Sequence, residues 1–236
     1  TMVAYAPVAR FCDPTSELAT AESFTDRSAL ADLLGLDPLA INEDRLYRTL
    51  DRALRHKSSL AVHLRTTYAA LFGTDYDLLL YDLTSTYFEG QADGIPQARY
   101  GYSRDKRSDC KQVVIALIVT REGLPLDFEI FDGNRRDHQT LQQIVEAVEA
   151  KFGRAGRIWV MDRGLSTEEN LTWLRARGGF YLVGTPKGML RQFERQLLEA
   201  SWKEVHDGLD VALLRAPDGS EEMFVLCRSR DRIEKE

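Results

Sequence analysis

Cysteine is scarce in this sequence and never closely paired. The three cysteines, Cys12, Cys110 and Cys227, form no CxxC unit, which excludes a zinc cluster of that spacing and a disulfide framework and leaves a reducing compartment as the expectation. Long apolar runs are also missing. Nothing approaches the roughly 18 residues of a membrane span, and the first residues lack the basic-then-apolar order of a signal peptide. A cytoplasmic protein without membrane attachment is expected. Excess positive charge is lacking too: at a formal net charge of -6, the chain is no general polyanion binder, so nucleic-acid contact has to rest on local basic stretches. Internal repeats and low-complexity tracts are absent. What is there, 236 residues with 44% hydrophobic and 29% charged side chains, suits a globular chain of one or two domains with a sizeable core.

Two stretches share a pattern. LLLYDLTSTYFEG, Leu78 to Gly90, runs from three leucines into Asp82, and RIWVMDRG, Arg157 to Gly164, runs from Ile158–Met161 into Asp162 and breaks at Gly164. Each reads as a buried strand ending on one carboxylate. A carboxylate beside a core is costly unless a cation offsets it, and a divalent metal is the commonest such partner. The two acids are therefore expected to share a metal site; the plainer reading has each Asp capping a loop or pairing with a nearby Arg. Asp82 followed by Thr84 is also similar to the nucleophile strand of haloacid-dehalogenase-type phosphatases. Thr84, however, stands where those proteins carry a second acid, and the chain enters a hairpin rather than a helix or cap. With no Ser, His, Asp arrangement nearby, Thr84 and Ser85 read as residues that orient the strand.

Taken in order, residues 1–77 read as helical. Asn42 caps a helix with Glu43 and Asp44 in its first turn and Leu46, Leu50 and Leu54 on one face; a second follows through Leu60, Leu64, Tyr68 and Leu71 and closes at Gly73. Their basic residues, Arg45, Arg48, Arg52, Arg55 and Lys57, suit either a solvated face or DNA contact. Strands follow from Leu78: the Asp82 strand, then after a polar segment Val113–Thr120, a turn at Gly123, and Leu124–Phe131. Asp137 reads as the cap of a helix carrying Leu141, Ile144, Val145, Val148 and Phe152, and Gly153 stops it. After the Asp162 strand, Ser166 and Glu169 give a capping-box pattern opening a helix through Leu171 and Leu174, and Phe180–Thr185 is a further strand. Met189–Ala200 reads as helical, Leu209–Arg215 with Glu222–Arg228 as a hairpin, and residues 230–236 as the start of a helix.

A three-strand meander, a helix and a second Asp-bearing strand make the ribonuclease H topology. YDLTSTYFEG, GYSRDKRSDCKQVVIALIV, GLPLDFEIFDGN with RRDHQTL, and MDRGLSTEENLTWL also resemble, in order, the transposases of the IS4 superfamily, most nearly the IS1634 group, over about residues 38–232. The resemblance implies an α/β, ribonuclease H-like DDE core with a mixed sheet at 78–185, a helical N-terminal segment at 1–77 and the start of a β-rich insertion at 186–236. It implies a two-metal site for Mg²⁺ or Mn²⁺, with Asp82 bridging both ions and Asp162 holding one, because cutting a phosphodiester and joining a 3′ hydroxyl are in-line displacements that two such ions assist. The implied partner is double-stranded DNA, at element ends and target, with a homodimer acting on paired ends.

The family's third acid is a Glu on a helix within a Tyr, Arg, Glu, Lys arrangement. That arrangement is absent, and Glu234 and Glu236 lack its surroundings. The expectation is a chain that stops short of the third acid and is weak or inactive alone. Three functions follow: a transposase that cleaves DNA and transfers strands, a truncated remnant that only binds DNA or a partner, and a repair-type nuclease on the same fold. Between Arg99 and Lys111 five basic residues alternate with Asp105, Asp109, Tyr100 and Tyr102; this is a solvated loop or a DNA contact in which Arg104, Lys106 and Arg107 meet phosphate and the tyrosines suit base stacking. His138 stands without a second nearby His and is not a zinc ligand by spacing. Arg163 either touches DNA or pairs with an acid.

Overall fold

A computed structural model describes residues 2–74, 76–103, 105–154 and 156–233, with Lys187 described by its backbone alone. Arg104, Glu234 and Glu236 lie outside the described residues. The centre is a five-stranded mixed sheet. Strand β1 (Leu78–Tyr87) pairs antiparallel with β2 (Gln112–Thr120), which pairs antiparallel with β3 (Pro125–Asp132). On its other side β1 pairs in parallel with β4 (Ile158–Met161), and β4 with β5 (Phe180–Val183). The spatial order is β3-β2-β1-β4-β5, the ribonuclease H-like arrangement.

Period-two alternation decides which side chains make the core. Leu79, Tyr81 and Leu83 of β1, Val114, Ala116 and Ile118 of β2, and Trp159 and Met161 of β4 are buried on one face. Helix α4 (Leu141–Phe152) covers that face with Leu141, Ile144, Val145, Val148 and Phe152, and α5 (Glu168–Ala176) adds Leu174. The other face is also apolar and only partly covered: Leu117, Phe128, Ile130, Ile158, Phe180 and Leu182 are all exposed, and the first three share a groove with Leu50, Leu54, Leu60 and Leu64 of the N-terminal helices. Among the described residues no helix is long and apolar enough to cross a membrane.

Several local expectations need correction. Asp137 does not cap α4; it opens a 3-10 turn, Asp137–Gln139, and the hydroxyl of Thr140 donates to its carbonyl at 2.6 Å. Ser166 does not cap α5 either, because the adjacent Thr167 accepts from the Asn170 N–H. The C-terminal hairpin is a three-stranded antiparallel sheet: β6 (Lys203–His206), unforeseen, joins β7 (Leu209–Arg215), which pairs with β8 (Met223–Ser229). Glu222, just before β8, receives the Tyr181 hydroxyl of β5 and meets Arg175 of α5 at 3.1 Å, so an acid ties this small sheet to the main one.

The N-terminal segment is helical, as expected. Helix α1 (Met2–Cys12) buries Tyr5 and Ala9 against Phe24, Ala31 and Ile41 and against Leu46 of α2 (Glu43–Leu54), which Asn42 caps by accepting from Arg45 N–H. Helix α3 (Lys57–Phe72) ends at Gly73 in the left-handed region, φ +62°, the geometry that glycine adopts without steric cost. It reaches the sheet through Ala61, which is buried in the main core, and through charge. Lys57 lies over the Phe128 ring at 4.4 Å and 2.9 Å from Glu129, while Lys151 of α4 bridges Glu129 and the buried Asp127.

Asp127 has a side chain only 1% exposed, so removing its cation strands a buried charge. Lys151→Met is expected to destabilise the chain by about 3–5 kcal/mol, and Lys151→Met with Asp127→Leu to recover much of that loss in urea denaturation. Burial pushes the Glu129 carboxyl up, but Lys57 and Lys151 outweigh it and hold the group below its ordinary value. The stabilisation is therefore present above the ordinary carboxylate range and lost as pH falls through the folded value. Glu129→Gln should flatten the acid limb of the stability profile.

Candidate active-site cleft

The two acids are brought together by strand register. Tyr81 pairs with Met161 across the parallel β1–β4 ladder, so Asp82 and Asp162 occupy the next position on neighbouring strands, whose backbones lie roughly 4.8 Å apart. Tyr81 and Met161 point into the core, and alternation sends the next residues the other way. Both aspartates are exposed, and Asp82 sits mid-strand rather than at a strand end. The expectation of buried carboxylates in need of a cation is thereby corrected: no desolvation cost demands one.

Each acid uses one oxygen locally. Asp82 Oδ1 accepts from Leu83 N–H at 2.9 Å and Asp162 Oδ1 from Arg163 N–H at 2.6 Å, while neither Oδ2 has a hydrogen-bond partner among the described residues. Two hard oxygen donors side by side, each with an oxygen outside the local hydrogen bonds, fit a divalent cation that keeps waters or substrate oxygens as its remaining ligands. Among the described residues no cluster of three or more His, Cys, Asp or Glu completes a metal cage.

Beside Asp162 a cleft of about 640 Å³ is lined by Asp162, Arg163, Arg136, His138, Tyr102 and Ser85, among others; Leu83, the neighbour of Asp82, lines it and Asp82 does not. Its floor is braced by two devices. The buried Tyr81 hydroxyl bonds Thr140 Oγ1 at 2.6 Å, which holds the 137–139 turn over β1; burial pushes the tyrosine pKa up, so it stays a neutral donor. The buried Asn170 amide donates to the His138 carbonyl at 2.8 Å and the Leu165 carbonyl at 3.0 Å, clipping that turn to the one after Asp162. Gly164 lies in the joint, where a Cβ would sit 3.0 Å from Asp137 Oδ2.

The basic loop between β1 and β2 is a built structure. Arg99 and Gln112 exchange both backbone hydrogen bonds, Gly133 N–H donates to Gln97 carbonyl, and the buried Gln112 amide donates to the Tyr102 and Gly133 carbonyls at 2.9 and 2.8 Å. A Cβ on Gly101 would lie 2.0 Å from Gly133 O, and one on Gly133 would lie 1.9 Å from Gln112 O. Lys106 is exposed and adopts φ +60°, an unusual conformation for a lysine. Arg107 is engaged at home: it pairs with Asp109 at 3.0 Å, stacks on Tyr87 at 4.9 Å and approaches Glu89 at 3.6 Å. Its guanidinium holds the Asp109 carboxyl down to about 2. Neither Lys106 nor Arg107 lines the cleft; Tyr102 does.

Arg136, Asn170 and Gln112 were not singled out from sequence. The amides act on carbonyls far along the chain and leave no local pattern; Arg136 was visible only as half of an Arg-Arg pair before Asp137. Arg163 shows no ion pair with an acid among the described residues.

The family model for the transposase DDE domain matches residues 73–224, and the chain belongs to that family. No curated protein sequence matches it. Among solved structures it is similar to piggyBac transposase in a synaptic complex with hairpin DNA, at 13% identity and TM-score 0.40, covering 98% of this chain and 52% of that one. It is also similar to Mos1 transposase in a paired-end complex with the left transposon end, at 13% identity and TM-score 0.33, covering 84% and 63% respectively. The chain thus spans about half the length of the first and under two thirds of the second.

Gln112→Ala would leave the buried Gly133 carbonyl and the partly buried Tyr102 carbonyl without their donor, at a cost of about 1–3 kcal/mol, and Gly133→Ala, with a backbone clash, should cost more. Both are expected to open the loop to trypsin at Lys106 and Arg107, which limited proteolysis followed by mass spectrometry would detect.

Proposed function

We propose that this chain is the catalytic-core portion of an insertion-sequence transposase of the IS4 superfamily, of IS1634 type, which cleaves DNA at element ends and transfers the strand. The observation that carries the reading is the side-by-side placement of Asp82 and Asp162, together with membership of the transposase DDE family. In this reading 1–77 is a helical lead-in, 78–185 the core, and 186–236 the start of a β-rich insertion. The partner is double-stranded DNA, engaged by a dimer on paired ends.

Asp82 and Asp162 would hold Mg²⁺ or Mn²⁺ through their carboxylate oxygens. Such ions, when bound, stabilise the attacking and leaving oxygens of displacement at phosphorus. The residues of the chain do the positioning. Arg136 and Arg163 face the cleft without a paired acid among the described residues and are suited to grip phosphate oxygens beside the acids. Lys106 lies on the loop outside and meets the backbone farther along, with Arg104 as a further contact. Arg107, tied to Asp109 and Tyr87, holds the loop that presents Lys106, and adds its positive field.

The partly open apolar face of the sheet supports a further part of this reading. Leu117, the cross-strand partner of Asp82, borders a groove shared with α2 and α3, while Ile158, Phe180 and Leu182 on the β4–β5 side are exposed, and exposed apolar residues of this kind call for a covering layer. A helix from the complete protein, laid on this face and carrying the third carboxylate beside Asp82, would close the metal site. The second reading, a remnant that binds DNA without cutting it, is supported by the lack of a Tyr, Arg, Glu, Lys arrangement in the sequence.

The two readings separate in one experiment. With the downstream helix supplied, Mn²⁺-dependent nicking of end-bearing DNA is expected to fall to background in Asp82→Ala and Asp162→Ala, while DNA binding persists. Full cleavage by either variant would sink the assignment, and binding without cleavage by the unsubstituted protein would support the remnant. Lys106→Ala should lower the slope of log affinity against log salt by about 1, whatever the sequence bound.

A further inference from the structure

Tyr102 combines three properties that ordinary surface tyrosines lack together. Its side chain is 88% exposed, it lines the same cleft as Asp162, and its backbone is immobilised. The carbonyl of Tyr102 accepts from the buried Gln112 amide, and the preceding Gly101 lies flat on the Gly133 carbonyl with no room for a side chain. A large ring is thus held in water, on a stiff support, beside a cleft lined by Arg135, Arg136 and Arg163 as well as Asp162. Tyr100, on the same loop, is exposed as well but does not line the cleft.

A rigid exposed ring beside cationic groups has the features of a stacking platform for nucleobases. Stacking needs a flat π-face with its orientation already fixed, since ordering a loop on binding would consume much of the gain. Arg136 and Arg163 line the same cleft and would neutralise the flanking phosphates. A base inside a duplex has both faces occupied by its neighbours and offers none to the ring. We infer that Tyr102 stacks on a nucleobase that is out of the duplex stack, so that the cleft prefers DNA with an unpaired nucleotide next to Asp162. The inference rests on the proposed action on DNA, and it adds a residue that sets which form of DNA the cleft takes.

The test uses the 236-residue chain without added metal and a short single-stranded oligonucleotide carrying one fluorescent adenine analogue, beside the same strand in a fully paired duplex. In the unsubstituted protein, binding should quench the analogue. Tyr102→Ala is expected to weaken single-strand binding roughly 5- to 150-fold, abolish the quenching and leave duplex affinity and the salt slope unchanged, since no charge is removed. Tyr102→Phe should restore both affinity and quenching. Unchanged single-strand binding by Tyr102→Ala, an equal loss on duplex, or a Tyr102→Phe variant as weak as the alanine would overturn the inference while leaving the transposase reading intact. Failure of the unsubstituted chain to bind either DNA would overturn both.

Discussion

The register between β1 and β4 is the constraint on which the candidate site depends. Four parallel pairs, from Leu78–Ile158 to Tyr81–Met161, fix the phase of two strands that are far apart in sequence. The apolar partners Leu79–Trp159 and Tyr81–Met161 are buried, so a slip of one residue would turn core side chains to solvent on one strand. The same phase places Asp82 and Asp162 abreast. Hydrophobic burial thereby sets carboxylate geometry without any direct bond between the acids, and the Tyr81–Thr140 and Asn170 clips fix the turns around them.

The two faces of the sheet differ in what they contribute. The covered face, under α4 and α5, supplies the apolar core that the chain buries. The partly open face carries Asp82 amid exposed leucine, isoleucine and phenylalanine. In water the two carboxylates stand near one another at high dielectric, where their repulsion is small. A covering layer would lower that dielectric and sharpen both their repulsion and their attraction for a cation. Coverage of this face and metal affinity are thus coupled physically in the proposed enzyme.

Much of the fold was legible because its signals are local. Asn42 as a cap, Gly73 and Gly153 as stops, and the second and third strands of the meander came through within a residue or two, whereas the first runs on past Asp82 to Tyr87. Where neighbouring residues compete for one role, sequence alone chose badly: Thr167 rather than Ser166 caps α5, because its hydroxyl reaches the Asn170 N–H. The exposure of Asp82 was readable in principle from its phase with Leu78 and Leu80, but Leu79 and Leu83 are equally apolar and the run gave no hint of which set faces the core. The pair Asp82 and Asp162 was found as a pattern; its support by Gln112, Asn170 and Thr140 was not, because each acts through a carbonyl or hydroxyl many residues away.

The contact of Gly101 with Gly133 divides the loop into a socket and a display. The socket is backbone on backbone, clamped by one glutamine, and tolerates no side chain at either glycine. The display is Tyr102 and Lys106, both exposed. Exchange of the two exposed side chains would leave both the socket and the β1–β4 register untouched. In the proposed enzyme, this would separate the surface that chooses a substrate from the scaffold that holds the two acids.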